Sequence, residues 1–386
     1  MNRIYLDYAA TTPLDPEVVA AMTPYWGERF GNPASMHWHG REAKAALDSG
    51  RDAVAAAIGA QSAEIIFTSG GTEADNLAIL GVAAALQERG RHMVTTAVEH
   101  HAAMESCHLL EHQGWKITYL PVDHHGHVSP AQVSDAITDQ TVLVSVMLAN
   151  NEIGTIEPIA EITRVTRARG VYLHTDAVQA LPWLPAKVDE LGVDLMSMSA
   201  HKLYGPKGTG ALYVRQGTRL APISHGGAQE QGRRSGTEDV AGIVGFAKAL
   251  ELATARRSQD GQRLRALRDR FVAGAMERIE QVWLNGHPTS RLPNNAHLSF
   301  ADAESEPLLL NLDLEGISVS AGAACASGGT EPSHVLKAIG LKTDLANSSL
   351  RFSLGRPTTE AEMDRVLEVL PGIVGRLREI RRSGTA

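Results

Sequence analysis

The strongest constraint on this chain is an alternation that runs through its first two thirds. Short β-rich runs at 64–68, 92–95, 116–120, 142–147, 171–174, 194–198 and 209–214 are separated by amphipathic stretches such as 72–87, 102–112 and 158–169. Strands alternating with helices predict an α/β fold, with a mainly parallel seven-stranded sheet covered by helices on both faces. Ligands in such sheets bind beyond the carboxyl ends of the strands, so motifs placed just after strands carry most weight.

After Gly236 the texture changes. A long helical stretch to about Ile279 is followed by a strand at 295–300, a helix at 306–314, a strand at 317–320 and a loop around Cys325. A helix from Pro332, a strand at 349–354 and a terminal helix at 359–382 complete the chain. This predicts a large domain over 14–255 and a smaller α+β domain built from 1–13 and 256–386. A length of 386 residues with 43% hydrophobic content suffices for both cores. The net charge of −8, without a long run of Lys and Arg, speaks against a general nucleic-acid binder. The apolar stretch 141–149 is strand length, not membrane length, and residues 1–13 are too polar for a signal peptide. Two cysteines, Cys107 and Cys325, cannot make a disulfide framework and fit a reducing compartment, so a cytoplasmic location is expected.

The segment Ser197-Met198-Ser199-Ala200-His201-Lys202 ends a strand run and enters a Gly/Pro turn. A lysine there, beside small and hydroxyl residues, suits Schiff-base chemistry, although on these residues alone a solvated loop lysine is the ordinary reading. Three other segments bear on the choice. Phe67-Thr68-Ser69-Gly70-Gly71-Thr72-Glu73 reads as a strand, a Gly-Gly turn and a helix start, whose free N–H groups favour a phosphate. Asp176 follows a buried-looking strand, where a carboxylate can keep a pyridinium nitrogen protonated. His100, in Glu99-His100-His101, could lie over a ring or handle protons. Each has an ordinary alternative as a cap, a turn or a structural residue. Together they fit one cofactor, pyridoxal phosphate.

The stretch Ser320-Ala321-Gly322-Ala323-Ala324-Cys325-Ala326-Ser327-Gly328-Gly329 has almost no bulky side chain, so its cysteine is expected to be exposed and reactive. Cys107, on a helical stretch with apolar neighbours, is expected to be a buried small apolar residue. The histidine-rich Asp123-His124-His125-Gly126-His127 reads as a polar turn, and no metal site is expected.

With these blocks goes a family resemblance over nearly the whole chain. The landmarks run from Tyr5-Leu6-Asp7-Tyr8-Ala9-Ala10-Thr11-Thr12-Pro13 through Phe30-Gly31-Asn32-Pro33-Ala34-Ser35, Asn150-Asn151-Glu152-Ile153-Gly154 and Arg234-Ser235-Gly236-Thr237. They end with Arg351-Phe352-Ser353-Leu354-Gly355-Arg356. The chain resembles cysteine desulfurases of the NifS/IscS type, in the class V aminotransferase superfamily. The resemblance implies that Lys202 carries pyridoxal phosphate, with His100 on its ring and Asp176 at its nitrogen. Gln179 and Asn151 would lie near the ring hydroxyl and the substrate, and Gly71, Thr72, Ser199 and His201 would hold the phosphate. Thr237 would reach the phosphate of a neighbouring subunit, which implies a homodimer. Asn32 and Arg356 would grip the substrate carboxylate, a task suited to a guanidinium fork. Lys202, Cys325 and His100 would be the catalytic residues. Gly71 and Ala200 stand where relatives often have Ala and Gly.

The implied reaction converts L-cysteine to L-alanine. Lys202 removes the α-proton, and the Cys325 thiolate attacks the substrate sulfur and keeps it as a persulfide for an acceptor protein. That acceptor could be an iron–sulfur scaffold, a thiolation enzyme or a DNA-modification system. The chain ends soon after its terminal helix, without the longer tail by which some relatives bind a scaffold, so the acceptor stays open. Transient ligation of an iron–sulfur cluster by Cys325 stays open too. Selenocysteine lyase and class V aminotransferase are the alternative activities; a cofactor-bearing interaction subunit would have lost site residues. Neither direct nucleic-acid binding nor membrane attachment is expected.

Overall fold

In the computed structural model, residues 3–321 and 332–384 are described, and Cys325 lies outside them. The strands are β1 (Ile4–Tyr5), β2 (Ile65–Thr68), β3 (His92–Thr96), β4 (Lys116–Leu120), β5 (Thr141–Ser145) and β6 (Tyr172–Asp176). They continue with β7 (Leu195–Ser199), β8 (Gly210–Val214), β9 (Val282–Asn285), β10 (Asn295–Phe300), β11 (Ile317–Ser318) and β12 (Ser349–Ser353). The helices are α1 (Pro16–Met22), α2 (Trp38–Ile58), α3 (Gly71–Leu86), α4 (His101–His112), α5 (Pro130–Ala136) and α6 (Ile159–Ala168). After them come α7 (Val188–Leu191), α8 (Val240–Arg278), α9 (Ser305–Leu314), α10 (His334–Ala338), α11 (Thr343–Ala346) and α12 (Glu360–Gly384).

Seven strands form one sheet in the order β2-β8-β7-β6-β5-β3-β4. The pairings from β7 through β6, β5 and β3 to β4 are parallel, while β8 runs antiparallel to both β2 and β7. Strands β2, β3 and β5 are buried at every position, as strands covered on both faces must be. Two apolar clusters fill the space on the two sides, one containing Val94, Val144, Leu173 and Met196, the other Ile66, Met93, Leu143 and Leu195. The residues alternate between clusters along each strand, as the period of two requires.

Expected strand ends differ from observed ones where site residues sit. Strand β6 reaches Asp176, two residues past the expected end. Strand β5 stops at Ser145, yet Val146 and Leu148 still donate to the carbonyls of His174 and Asp176. Asp176 is therefore held by backbone bonds on both sides. A second sheet, β12-β10-β9, is antiparallel, and its strand β9 was not expected from sequence. The N-terminal β1 pairs in parallel with β11, while the segment after it crosses to the lysine loop: Thr12 donates to the His201 carbonyl and Asp15 to that of Tyr204. Among the described residues no helix is long and apolar enough to cross a membrane.

Candidate active site

At the carboxyl ends of the parallel strands lies a cavity of about 620 Å³, within the range of small-molecule sites. The expected residues Gly71, Thr72, His100, Asn151, Asp176, Gln179, Ser199, His201 and Lys202 all line it. They come from the starts of α3 and α4, the ends of β6 and β7, and the loops after β5, β6 and β7.

Lys202 ends the short turn of 3-10 helix that follows β7. Its Nζ donates to the carbonyls of Ala9 (2.7 Å) and Ala10 (2.6 Å), and Gln179 Nε2 donates to the same Ala9 oxygen at 2.8 Å. Burial, then the Arg351 cation, pulls its amine down to about 8. A lysine in that state is close to the neutral form that a Schiff base requires. Asp176 Oδ1 accepts from the Val178 amide at 2.8 Å. Burial raises its pKa while His100, that amide and Lys202 favour its anion. His100 caps α4, its Nδ1 accepting from the Ala102 amide at 3.1 Å, so a neutral ring carries its proton on Nε2. Burial lowers its pKa, so the ring is neutral at pH 7.

The start of α3 offers free backbone donors beside small residues. A Cβ added to Gly71 would come within 2.8 Å of Val178 Cγ2, and one added to Gly210 within 2.7 Å of Gly70 Cα. The bare backbone therefore lets β8 and the loop after β6 close around the helix end, a cradle for an anion. His201 Nδ1 lies 3.1 Å from Thr11 Oγ1, and burial brings its pKa down to about 4, so it faces the cavity uncharged.

Two expected substrate residues lie elsewhere. Arg356 does not line the cavity: its guanidinium is 3.1 Å from Asp15 and 3.6 Å from Asp260, and sits over the Tyr204 ring at 4.1 Å. Asn32 is exposed, and its side-chain oxygen accepts from the Ala34 amide at 2.9 Å, closing a turn away from the cavity. The cavity's guanidinium is Arg351 on β12, which donates to Asp7 Oδ1 and to the Asn151 carbonyl, each at 2.9 Å. Its Nε is buried without a partner. Thr237 is exposed and off the cavity, though Arg234 of the same block pairs with Glu73 on α3 at 2.8 Å.

Asp7, Asp75, Glu99, Glu152 and His334 also line the cavity without having been singled out. Asp75 could have been found from its place one helical turn past Gly71. Glu99 is fully buried, bonded by Thr96 Oγ1 (2.7 Å) and the Met147 amide (3.1 Å), and burial lifts its pKa to about 8. Ser333 Oγ donates to Glu152 Oε2 at 2.6 Å, and His334 Nε2 to the Glu99 carbonyl at 2.9 Å. Cys107 is buried, its thiol pushed up to about 12 by burial. The histidine-rich segment forms a turn in which Asp123 Oδ1 accepts from the amides of His125 and His127, with the His125 ring 5.2 Å from that of His287.

Residues 4–366 match the class-V aminotransferase family. The chain belongs to that family. A relative from Dictyoglomus turgidum, named cysteine desulfurase IscS, is 54% identical over 98% of this chain and 96% of its own. One of the same name from Methanosarcina thermophila is 51% identical over 98% and 93%. Among solved structures, a NifS-like protein superposes with a TM-score of 0.92 at 37% identity, covering 97% of this chain and all of its own. SspA in complex with cysteine gives 0.80 at 34%, over 92% and 99%.

Proposed function

We propose that the chain is a cysteine desulfurase that binds pyridoxal phosphate and passes the sulfur of L-cysteine to Cys325 as a persulfide. The observation that carries this reading is the convergence in one cavity of a lysine with a lowered pKa, a buried strand-end aspartate and the open start of α3. The family and the cysteine desulfurase names of the relatives agree with it.

When bound, pyridoxal phosphate supplies an electron sink for the substrate α-carbon. Lys202 would hold it, Asp176 would keep a proton at its ring nitrogen, and His100 would cover the ring. Gly71, Thr72, Ser199 and His201 would receive the phosphate, with Gln179 and Asn151 beside the ring and the substrate. Arg351, in place of Arg356, would take the substrate carboxylate. Displaced from the cofactor, Lys202 has the basicity to accept the α-proton near pH 8. The described residues on either side of the Cys325 segment, Ser320 and His334, both line the cavity.

A homodimer is proposed on two grounds. Trp26, Phe30, Met36 and Trp38 expose between 61% and 88% of their surface in one short segment, an apolar patch that a second copy would cover. Thr237 stands outside its own cavity, where it could serve a partner's. The division into 14–255 and 1–13 with 256–386 is supported by the β1–β11 pairing. An iron–sulfur scaffold or a thiolation enzyme is the proposed class of acceptor.

Borohydride treatment of the yellow purified protein should fix the cofactor on Lys202, and cysteine should yield alanine. A Lys202→Ala protein that still forms a reducible lysine adduct overturns the assignment.

A further inference from the structure

Asp75 is a cavity acid with no task in the reaction as written. It lies on α3, is 1% exposed, and its Oδ1 has no hydrogen-bond partner. Facing it are Asp176 and His174 from β6, Ser197 from β7, Glu99 and His100 at the entry to α4, and Lys202 beyond β7. Asp75, His100 and Asp176 bring ligand-type atoms within 4.8 Å of one another.

None of the neighbours is a free cation for Asp75. His174 Nε2 is 3.6 Å from Asp75 Oδ1, but its two nitrogens meet the hydroxyls of Ser197 and Ser145, each at 2.9 Å. Burial takes that ring down to about 3, so it is neutral. His100 is neutral as well, and Lys202 is held by two backbone carbonyls. Two carboxylates this close and this buried cannot both be ionised. The charge is better placed on Asp176, which receives the Val178 amide and has Lys202 as a charged neighbour, than on Asp75, which has only the Ser197 hydroxyl in its favour.

Resting on the desulfurase reading, we propose that Asp75 is a positioning residue that retains a proton beside Asp176, so that the pair carries one negative charge. The proton stays on the Asp75 carboxyl and Asp176 remains the anion that meets the ring nitrogen. No covalent bond to the substrate changes. A neutral acid beside Asp176 leaves that anion unopposed; a second carboxylate could only repel it.

The test is infrared spectroscopy of the holoenzyme at pH 7, prepared with and without carboxyl-¹³C aspartate. The wild type should show a protonated-carboxyl band that shifts with the label. The band should be lost in Asp75→Asn and kept in Glu99→Gln and Asp194→Asn. Asp75→Asn should still fix cofactor on Lys202 at wild-type stoichiometry, since an amide is neutral and can donate. Labelled wild type without a neutral aspartic acid overturns the proposal, whether or not Asp75→Asn folds; so does a band that survives in Asp75→Asn. A wild type that fixes no cofactor on Lys202 sinks the desulfurase reading instead, while the infrared band of the same protein still decides the state of Asp75.

Discussion

Replacing Arg351 by lysine keeps a positive charge beside Asp7 but removes the planar fork. In the wild type two terminal nitrogens are spent on Asp7 Oδ1 and the Asn151 carbonyl, each at 2.9 Å, and the buried Nε is left without a partner. We propose that a substrate carboxylate takes a donor of this guanidinium. A hydrogen bond between charged groups contributes about 1.5–3 kcal/mol, so its loss should lower kcat/KM for cysteine by roughly tenfold to more than a hundredfold. Lysine preserves the pair with Asp7, so the loss should fall on KM more than on folding. Arg356→Lys is the matched control. Its guanidinium serves Asp15, Asp260 and the Tyr204 ring, so this exchange should lower Tm and leave KM within about twofold. Alanine formation across a cysteine series, with thermal melts of both variants, reads the two effects separately. A raised KM in Arg356→Lys with an unchanged one in Arg351→Lys would refute the assignment.

Cys325→Ser should bind cysteine and change the cofactor spectrum, yet lose several orders of magnitude in alanine production, whereas Cys107→Ser should match the wild type. Equal turnover by Cys325→Ser and wild type would favour selenocysteine lyase or transamination. Glu157 is buried, accepts from the Val128 amide at 3.0 Å, and has its pKa raised by burial from 4.5 to about 8. The folded state thus binds more protons than the unfolded one in that window, so this stability is full below about 4.5 and lost as pH rises through about 8. Urea midpoints of Glu157→Gln should therefore fall less steeply than those of the wild type from pH 5 to 9; parallel curves would contradict a protonated Glu157.

The large sheet was legible because each of its strands is a local apolar run, and burial on both faces leaves little room for another pattern. The lysine, the Gly-Gly turn and Asp176 were legible because each lies at or just past a strand end, where the parallel sheet gathers its ligand-facing edge. Cys107 was equally readable, from apolar neighbours on one helix face. Strand β9 and β1 were missed because each is short and takes its partners from distant chain.

The sequence by itself determined the family, the seven-stranded sheet and most of the cavity's polar residues, since these rest on local patterns and ordered motifs. Only the tertiary structure decided which arginine faces the cavity. Along β12, Leu350 and Phe352 enter the core while Arg351 and Ser353 point to the opposite face, where Asp7, 344 residues away, receives the guanidinium. Arg356 lies past the strand end, and Asp15, 341 residues away, draws it off. The same holds for Asp75, an ordinary helix residue until β6 sets Asp176 beside it. A charge takes its role from the partners that share its low-dielectric surroundings, and chain folding brings those partners from far along the sequence.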